Sequence, residues 1–251
     1  MDTKQTIAVL GSGSWGTAVA QVLSDNGHTV YLYGRNAAVV DEINRKHTHS
    51  KFFDDIALNP DLTAVHEIEI VKECKIIVLA VPTIAVESIC QQIDPYLQDQ
   101  CILVNLSKGF HPETNQRMSE VIRQSVSKNH LSSVVSLIGP SHAEEVVIRQ
   151  LTTLAAVSLS SEDAKTVQRL FSNPYFRVYT GTDEVGSEIG AALKNVMAIA
   201  SGILAGLGYR DNTRAALITR GLQEMIRFGM FFKGQPNTFV GLTGIGDLIV
   251  T

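Results

Sequence analysis

The sequence is poor in the features that mark several classes of protein. It has three cysteines, Cys74, Cys90 and Cys101, an odd number with neither Cys-x-x-Cys nor metal-ligand spacing. A disulfide framework is therefore excluded as an organising device and no metal is expected; the thiols read as small buried hydrophobes of a reducing compartment. Positive charge is not in excess, since 21 Lys and Arg stand against 25 Asp and Glu for a formal net charge of −4. Nucleic-acid binding needs a concentrated basic face, so no such partner is expected, and a phosphate ligand would have to be held by local donors. Long apolar runs are lacking too. The longest, from Val196 to Leu207, is interrupted by serine and glycines and falls short of the roughly 20 residues that span a bilayer. Met1-Asp2-Thr3-Lys4-Gln5 passes straight into a strand-like run, without the charged and apolar segments of a secretion signal. These absences lead to the expectation of a soluble, cytoplasmic protein with no membrane partner.

What the chain does have is 45% hydrophobic and 18% charged residues over 251 positions, enough for one large core or a core with a smaller domain beside it. Short Val/Ile/Leu runs alternate with helical patterns. Strands are predicted at Thr6–Leu10, Thr29–Tyr33, Ile76–Val81, Ile102–Asn105 and Val134–Ile138, and helices at Trp15–Asn26, Ala37–Lys46, Ile84–Leu97 and Asn115–Ser127. Unbroken apolar strands are those covered on both faces, which implies a Rossmann-type, doubly wound, mostly parallel sheet. Leu154–Leu159 and Phe176–Tyr179, flanking a helical Glu162–Ser172, are expected to extend the sheet at its edge. From Asp183 the pattern becomes helical, with segments Asp183–Leu207 and Asn212–Phe232. The expected organisation is a dinucleotide-binding domain over 1–183 and an all-helical substrate domain over 184–251.

Gly11-Ser12-Gly13-Ser14-Trp15-Gly16 is a G-x-G-x-x-G sequence that directly follows a strand and opens a helix, the context that makes it a dinucleotide fingerprint rather than a tight turn. Gly11 would make the turn, Gly13 would let a pyrophosphate approach the backbone, and Gly16 would let helix pack on strand. NAD-specific sites carry an acid at the end of the second strand to hold the ribose 2′-hydroxyl. Here that region reads Tyr31-Leu32-Tyr33-Gly34-Arg35-Asn36. With no acid present, Arg35 either faces a 2′-phosphate or is a solvated helix-start residue; the first reading predicts NADP(H), with or without NAD(H).

Three further segments set polar groups in apolar or small-residue surroundings. Lys108 follows the strand ending at Asn105, where ligands of open parallel sheets bind; a plain surface lysine is the alternative. Gly139-Pro140-Ser141-His142-Ala143-Glu144 lies at another strand end, with Ser141 placed to cap a helix and Glu144 in capping-box position. Its helix start could also meet a phosphate, and His142 is not counted as an acid or base. Lys194 and Asn195 lie on a helix with Gly190, Ala191 and Ala198 at neighbouring turns and Gly186, Gly202 and Gly206 beyond. Each glycine costs about 1 kcal/mol of helix stability relative to alanine, so close approach of another surface accounts for them; a packed helix with a snorkelling lysine is the alternative. Asp247, in Leu242-Thr243-Gly244-Ile245-Gly246-Asp247-Leu248, is either a site charge or a helix cap.

Together these motifs resemble those of the NAD(P)-dependent glycerol-3-phosphate dehydrogenase family, bacterial branch. The matches are Gly11–Ala18, Ser107-Lys108-Gly109, the Gly139–Glu145 segment and Ala192-Leu193-Lys194-Asn195-Val196. Asp211-Asn212 through Ala216-Leu217-Ile218-Thr219-Arg220-Gly221 and the Leu242–Leu248 stretch complete them, in family order. The resemblance implies reversible hydride transfer between NAD(P)H and dihydroxyacetone phosphate to give sn-glycerol 3-phosphate for phospholipid synthesis, by a homodimer. It places Ser14 and Trp15, within the cofactor-binding turn of Gly11, Gly13 and Gly16, at the cofactor pyrophosphate, Arg35 at the adenosine ribose and Ala143 near the cofactor. Lys108 would touch cofactor and substrate, and Gly139 and Ser141 the substrate. Lys194 would transfer the proton, in a pocket lined by Asn195, Asp247 and Thr251.

The family pattern continues past Asp247 into a phosphate-gripping Ser-Arg-Asn motif, whereas this sequence stops at Thr251. The expectation is a trimmed piece or a protein without that clamp, exposing helical surface that further helices would cover. The alternatives are a related β-hydroxyacid or ketoacid reductase, and a catalytically impaired dinucleotide-binding module.

Overall fold

The computed structural model describes residues 4–250. Eight strands form one sheet: β1 (Thr6–Leu10), β2 (Thr29–Tyr33), β3 (Thr63–Val65), β4 (Ile76–Leu79), β5 (Cys101–Asn105), β6 (Leu131–Ile138), β7 (Thr152–Val157) and β8 (Phe176–Gly181), in spatial order β3-β2-β1-β4-β5-β6-β7-β8. Strands β1 to β6 run parallel, β7 turns antiparallel to β6, and β8 is parallel to β7. The strand order reverses direction between β1 and β4, so their carboxyl ends open a crevice at that point.

Helices α1 (Ser14–Asp25), α2 (Ala37–Lys46), α3 (Ser50–Phe53), α4 (Thr83–Ile93), α5 (Met118–Ser125), α6 (Ala143–Val147) and α7 (Ser161–Phe171) connect the strands. Two apolar clusters cover the sheet, one on each face. Ile7, Val9, Leu32, Val78 and Val104 belong to the first, and Ala8, Leu10, Ile77, Leu79 and Leu103 to the second. Alternate residues of one strand thus point to opposite, equally buried sides, which is why these strands lack polar positions.

Beyond Gly181 the chain is helical: α8 (Glu184–Gly206), α9 (Asp211–Phe231), α10 (Pro236–Phe239), a π-helical turn over Leu242–Gly246, and α11 (Asp247–Ile249). Ile189, Leu222, Met225, Phe239 and Leu248 form their core. Asp183 begins this unit: its carboxylate accepts from Gly186 N at 2.9 Å, capping α8, and from Gln235 N at 2.8 Å and Thr238 Oγ at 2.6 Å. Helix α8 is long and apolar enough, by length and composition, to cross a membrane. Its first half carries Glu184, Glu188 and Lys194, all buried and ion-paired to other elements. Its second half exposes Val196, Ile199 and Ile203, and Leu207 just beyond it is exposed as well.

Several boundaries differ from the sequence reading. The fourth strand stops at Leu79, leaving Ala80 and Val81 free to line the crevice. The fifth helix starts only at Met118, because Phe110 and Arg117 pair across a short turn containing Asn115 at φ 57. Strand β3 and helix α3 had no periodic signal; with three and four residues they are too short to produce one.

Candidate functional site

The glycine turn stands at the mouth of the crevice. A Cβ on Gly11 would lie 2.3 Å from the Ala80 carbonyl oxygen, and one on Gly16 1.9 Å from that of Gly11. Neither position tolerates a side chain. At Gly13 a Cβ would meet nothing within 4 Å, so the space over the start of α1 is open. Gly13 caps α1 without a side-chain bond, leaving the N–H groups of Ser14, Trp15 and Gly16 at the positive end of the helix. This is a cradle for a pyrophosphate, and the residues present fit a dinucleotide.

The open space belongs to a cleft of about 620 Å³ that runs from Gly11, Ser12 and Gly13 past Tyr33, Gly34 and Arg35 to Lys51 and Phe52 on one side and to Val81 and Ile89 on the other. At the end of β2 a side chain on residue 34 would have its Cβ 2.5 Å from Ser12 Oγ and 2.9 Å from Ser12 Cβ. A side chain at that position would force Ser12 to shift, and the charges that line the cleft here are the cations Arg35 and Lys51. Lys51 Nζ stands 5.2 Å from the centroid of the Phe52 ring. His49, fully buried, has Nε2 3.0 Å from the Ser12 carbonyl oxygen and packs on Phe52 at 4.9 Å between ring centroids, bracing the glycine turn from beneath. His49, Lys51 and Phe52 were not singled out from the sequence. They sit on a connection whose only signal is a cluster of His, Lys and Phe, and only the fold brings it to the cleft.

Further along the same sheet edge, three charged groups meet. Lys108 follows β5. The turn before it is fixed by Asn105 Oδ1, which accepts from Ser107 N at 3.0 Å, and by Ser107 Oγ, which donates to the Val81 carbonyl. Lys108 Nζ donates to the Gly139 carbonyl at 3.0 Å and to Asp247 Oδ1 at 3.0 Å. Lys194 Nζ donates to the same Asp247 Oδ1 at 2.7 Å. Asp247 is 1% and Lys194 6% exposed. Two ammonium groups around one carboxylate leave a net positive charge in a nearly dry setting, where each interaction is stronger than in water. Burial, reinforced by Lys194 and opposed by Asp247, moves the Lys108 ammonium below the usual lysine range.

The helical unit delivers Asp247 to this point through Gly190. A Cβ there would lie 2.7 Å from the Thr243 carbonyl oxygen, so the π-helical turn can seat against α8 only because residue 190 has no side chain. Lys194 is one turn further along α8 and meets the residue that follows the π turn. The close-approach reading of the glycines holds for Gly190; at Gly186 the group in the way is the carboxylate of Asp183, the cap of the same helix. The reading fails for Gly202 and Gly206, where a Cβ would meet nothing within 4 Å.

Other sequence candidates fall differently. Ser141 does not cap α6: its hydroxyl donates to the Gly139 carbonyl at 3.1 Å, two residues back, and the cap is His142 without a side-chain bond. The expected capping box is absent because α6 starts one residue later than that box requires, which leaves Ser141 outside the cap position. His142 Nε2 lies 2.6 Å from the Val250 carbonyl oxygen, tying this loop to α11. Asp247 is not a helix cap, a position taken by Gly246; its carboxylate serves the lysines instead. Asn195 is exposed, and none of the cluster's hydrogen bonds among the described residues reaches it. Ala143 packs into the sheet core. Thr251 lies outside the described residues. The three cysteines are free and buried, and burial pushes the Cys74 and Cys90 thiols up to about 12, out of the reactive range.

Comparison with known proteins bears on this arrangement as a whole. The family models described as NAD-dependent glycerol-3-phosphate dehydrogenase N-terminus and C-terminus match residues 6–166 and 183–251. The chain is 47% identical over 250 residues to a glycerol-3-phosphate dehydrogenase [NAD(P)+] of Streptococcus agalactiae, covering 99% of this chain and 74% of the relative. A protein of the same name from Streptococcus pyogenes is 45% identical over the same spans. The crystal structure of glycerol-3-phosphate dehydrogenase from Coxiella burnetii superposes with a TM-score of 0.91 at 32% identity, over 98% of this chain and 75% of that one. With the Gly11–Gly16 turn, the Lys108 loop and the Lys194 helix all inside the matched spans, the chain belongs to the NAD(P)-dependent glycerol-3-phosphate dehydrogenase family.

Proposed function

We propose that this protein is an oxidoreductase that interconverts dihydroxyacetone phosphate and sn-glycerol 3-phosphate with NAD(P)H. The observation that carries the reading is the buried Lys108–Asp247–Lys194 cluster, with its net positive charge, at the same sheet edge as the glycine turn. Family membership supplies the substrate class and cofactor.

Residues 1–183 would hold the cofactor and 184–251 would close over the substrate. Ser14, Trp15 and Gly16 offer backbone N–H groups to the pyrophosphate, and Arg35 and Lys51 offer charge to the adenosine end, a pairing that favours NADP(H). When bound, the nicotinamide supplies the hydride that reduces carbon 2. Negative charge then gathers on the substrate ketone oxygen, and a positioned ammonium is suited to receive it. Lys194 donates a hydrogen bond to that oxygen and passes it a proton; in the reverse direction its neutral amine accepts the proton of the alcohol. Asp247 keeps the Lys194 ammonium aimed and separates it electrostatically from Lys108. Lys108, with Ser141 beside it at the Gly139 turn, neutralises substrate phosphate. The free buried thiols suit a cytoplasmic setting, and the exposed apolar residues of α8 suit a homodimer.

The test is oxidation of NADPH and NADH followed spectrophotometrically with dihydroxyacetone phosphate, in the parent chain and in Lys194→Ala. The variant should lose about 10²–10⁴ in kcat while binding cofactor normally. Parental turnover in Lys194→Ala would remove Lys194 from the chemistry. Reduction of a ketoacid but not of the phosphate ester would reassign the protein to the reductases that share its fold.

A further inference from the structure

Between α8 and the sheet lies a second buried polar group that the chemistry above does not use. Glu188, 5% exposed, has Oε1 2.9 Å from Ser119 N and 3.2 Å from Ser136 Oγ, and Oε2 2.9 Å from Arg117 Nη1 and 2.7 Å from Ser119 Oγ. Glu184, one turn earlier and 3% exposed, is gripped through both oxygens by Arg123, and its Oε1 is also 3.1 Å from Arg117 Nη1 and 2.7 Å from Ser119 Oγ. Arg117 is paired in addition with Glu120, at 2.7 Å. The charged groups facing one another here are therefore Arg117, Arg123 and Glu120 from the α5 region and Glu184 and Glu188 from α8; β6 contributes the Ser136 hydroxyl.

Hydrogen counting favours one arrangement of protons. The Ser119 hydroxyl stands 2.7 Å from a carboxyl oxygen on each side, but it has one hydrogen to give. The second short contact needs a hydrogen on a carboxyl group. Glu184 faces a bidentate guanidinium, which favours the carboxylate, so the hydrogen sits on Glu188 Oε2 and points to Ser119 Oγ, which in turn donates to Glu184. Burial and the neighbouring Glu184 also push the Glu188 carboxyl above the usual range, against the Ser119 and Arg117 contacts.

The location gives this group its consequence. Ser136 lies on β6, which ends at Ile138 just before Gly139, the residue whose carbonyl holds Lys108. Glu188 lies on α8 six residues before Lys194, about 9 Å along the helix axis. We propose that Glu188 is a positioning residue, a neutral carboxyl that pins α8 to β6 and α5 and thereby sets Lys194 in register with Asp247 and Lys108. This rests on the assignment of Lys194 above. A misplacement of about 1 Å at a reacting group can cost 10²-fold in rate, so the joint should be read in kcat more than in cofactor binding.

The test compares Glu188→Gln and Glu188→Ala in the same chain. Glutamine mimics the neutral acid and keeps its acceptor, and should retain kcat within about twofold with an unchanged pH profile. Alanine should lower kcat tenfold or more and shift its pH profile while leaving the Kd for NADPH in place. Thermal unfolding supplies an arm independent of turnover. A neutral Glu188 holds a proton that the unfolded chain releases above about pH 4.3, so its contribution to stability declines as pH rises above that value. The parent should lose Tm between acid and neutral pH relative to Glu188→Gln, which has no such proton. If Glu188→Ala does not fold, Ser136→Ala, lacking a single donor, carries the kinetic arm and should lower kcat severalfold with KM for NADPH preserved. A Gln variant as impaired as alanine, or as pH-sensitive in Tm as the parent, would overturn the neutral carboxyl. Parental kcat in a folded Glu188→Ala or Ser136→Ala would overturn the positioning role. Absence of turnover in the parent strikes instead at the proposed function, and the Tm arm still reads Glu188.

Discussion

At the scale of single residues, the site is governed by where charge can and cannot be placed. Position 34 is a glycine packed against Ser12, with no acid there, while Arg35 and Lys51 line the cleft beside it. Removing either cation should therefore lower kcat/KM for NADPH more than for NADH. Charge-assisted contacts contribute about 1.5–3 kcal/mol each, so Arg35→Ala and Lys51→Ala should each shift the NADPH-to-NADH preference by about tenfold or more, as measured from initial rates with the two cofactors. An unchanged ratio in both would remove the cationic end from cofactor choice. Lys108 makes a pH prediction with a definite sign. Burial lowers its ammonium below the usual lysine range, so its charge disappears as pH rises, before an ordinary lysine with pKa about 10.4 would lose it. KM for the phosphate substrate should climb on that alkaline limb, and Lys108→Met should show a high KM with the limb missing.

Helices and turns set the distances between those residues. The π-helical turn over Leu242–Gly246 reaches α8 only at Gly190, where a Cβ would stand 2.7 Å from the Thr243 carbonyl oxygen. Two effects compete in Gly190→Ala. Helix propensity favours alanine by about 1 kcal/mol, whereas forcing a methyl against rigid backbone costs typically 1–3 kcal/mol. The clash should win, because backbone on both sides cannot rotate away as a side-chain tip would. Gly190→Ala should lower Tm and also kcat, since the displaced turn carries Asp247; Gly202→Ala, in open space on the same helix, should show only the propensity gain. Circular dichroism melts of the two variants distinguish these outcomes, and a Gly190→Ala protein with the parental Tm would show that the turn yields.

For the molecule as a whole, acid stability follows from carboxylates held across long sequence distances. Burial alone would raise the Asp25 carboxyl, but hydrogen bonds from Arg149, Tyr175 and Asn59 outweigh it and hold the group below its usual range. Glu184 is held down likewise, against burial, by Arg123, Ser119 and Arg117. A carboxyl whose folded pKa lies below the unfolded one stabilises above the unfolded value and loses that contribution as pH falls through the folded one. The midpoint of thermal unfolding should accordingly drop as pH is lowered from about 4, and Arg149→Ala, which weakens the hold on Asp25, should flatten part of that decline. An acid limb identical in the variant would mean that Asp25 does not contribute.

Much of this was readable in the linear chain, and for physical reasons. Strands buried on both faces must be apolar throughout, so β1, β4 and β5 announce themselves; a glycine turn between strand and helix has a fixed spacing, so Gly11, Gly13 and Gly16 do as well. The helices from Glu184 onward show as a loss of strand signal, and the motifs around Lys108, Lys194 and Asp247 carry the family likeness. Short elements leave no periodicity, which hid β3 and α3, and with them Lys51 and the bracing His49. The capping serine misled because the helix begins one residue further on, with His142 in the cap position. Sequence by itself determined the element types, the cofactor turn and the family, all consequences of local spacing and burial pattern. Only the tertiary structure decided that Lys108 and Lys194 share one carboxylate oxygen, that residue 34 packs against Ser12, and that Glu184 and Glu188 meet Arg117, Arg123 and Ser119. Electrostatic partners are chosen by proximity in space, and residues 53 positions apart such as Lys194 and Asp247 become neighbours only once the chain has folded.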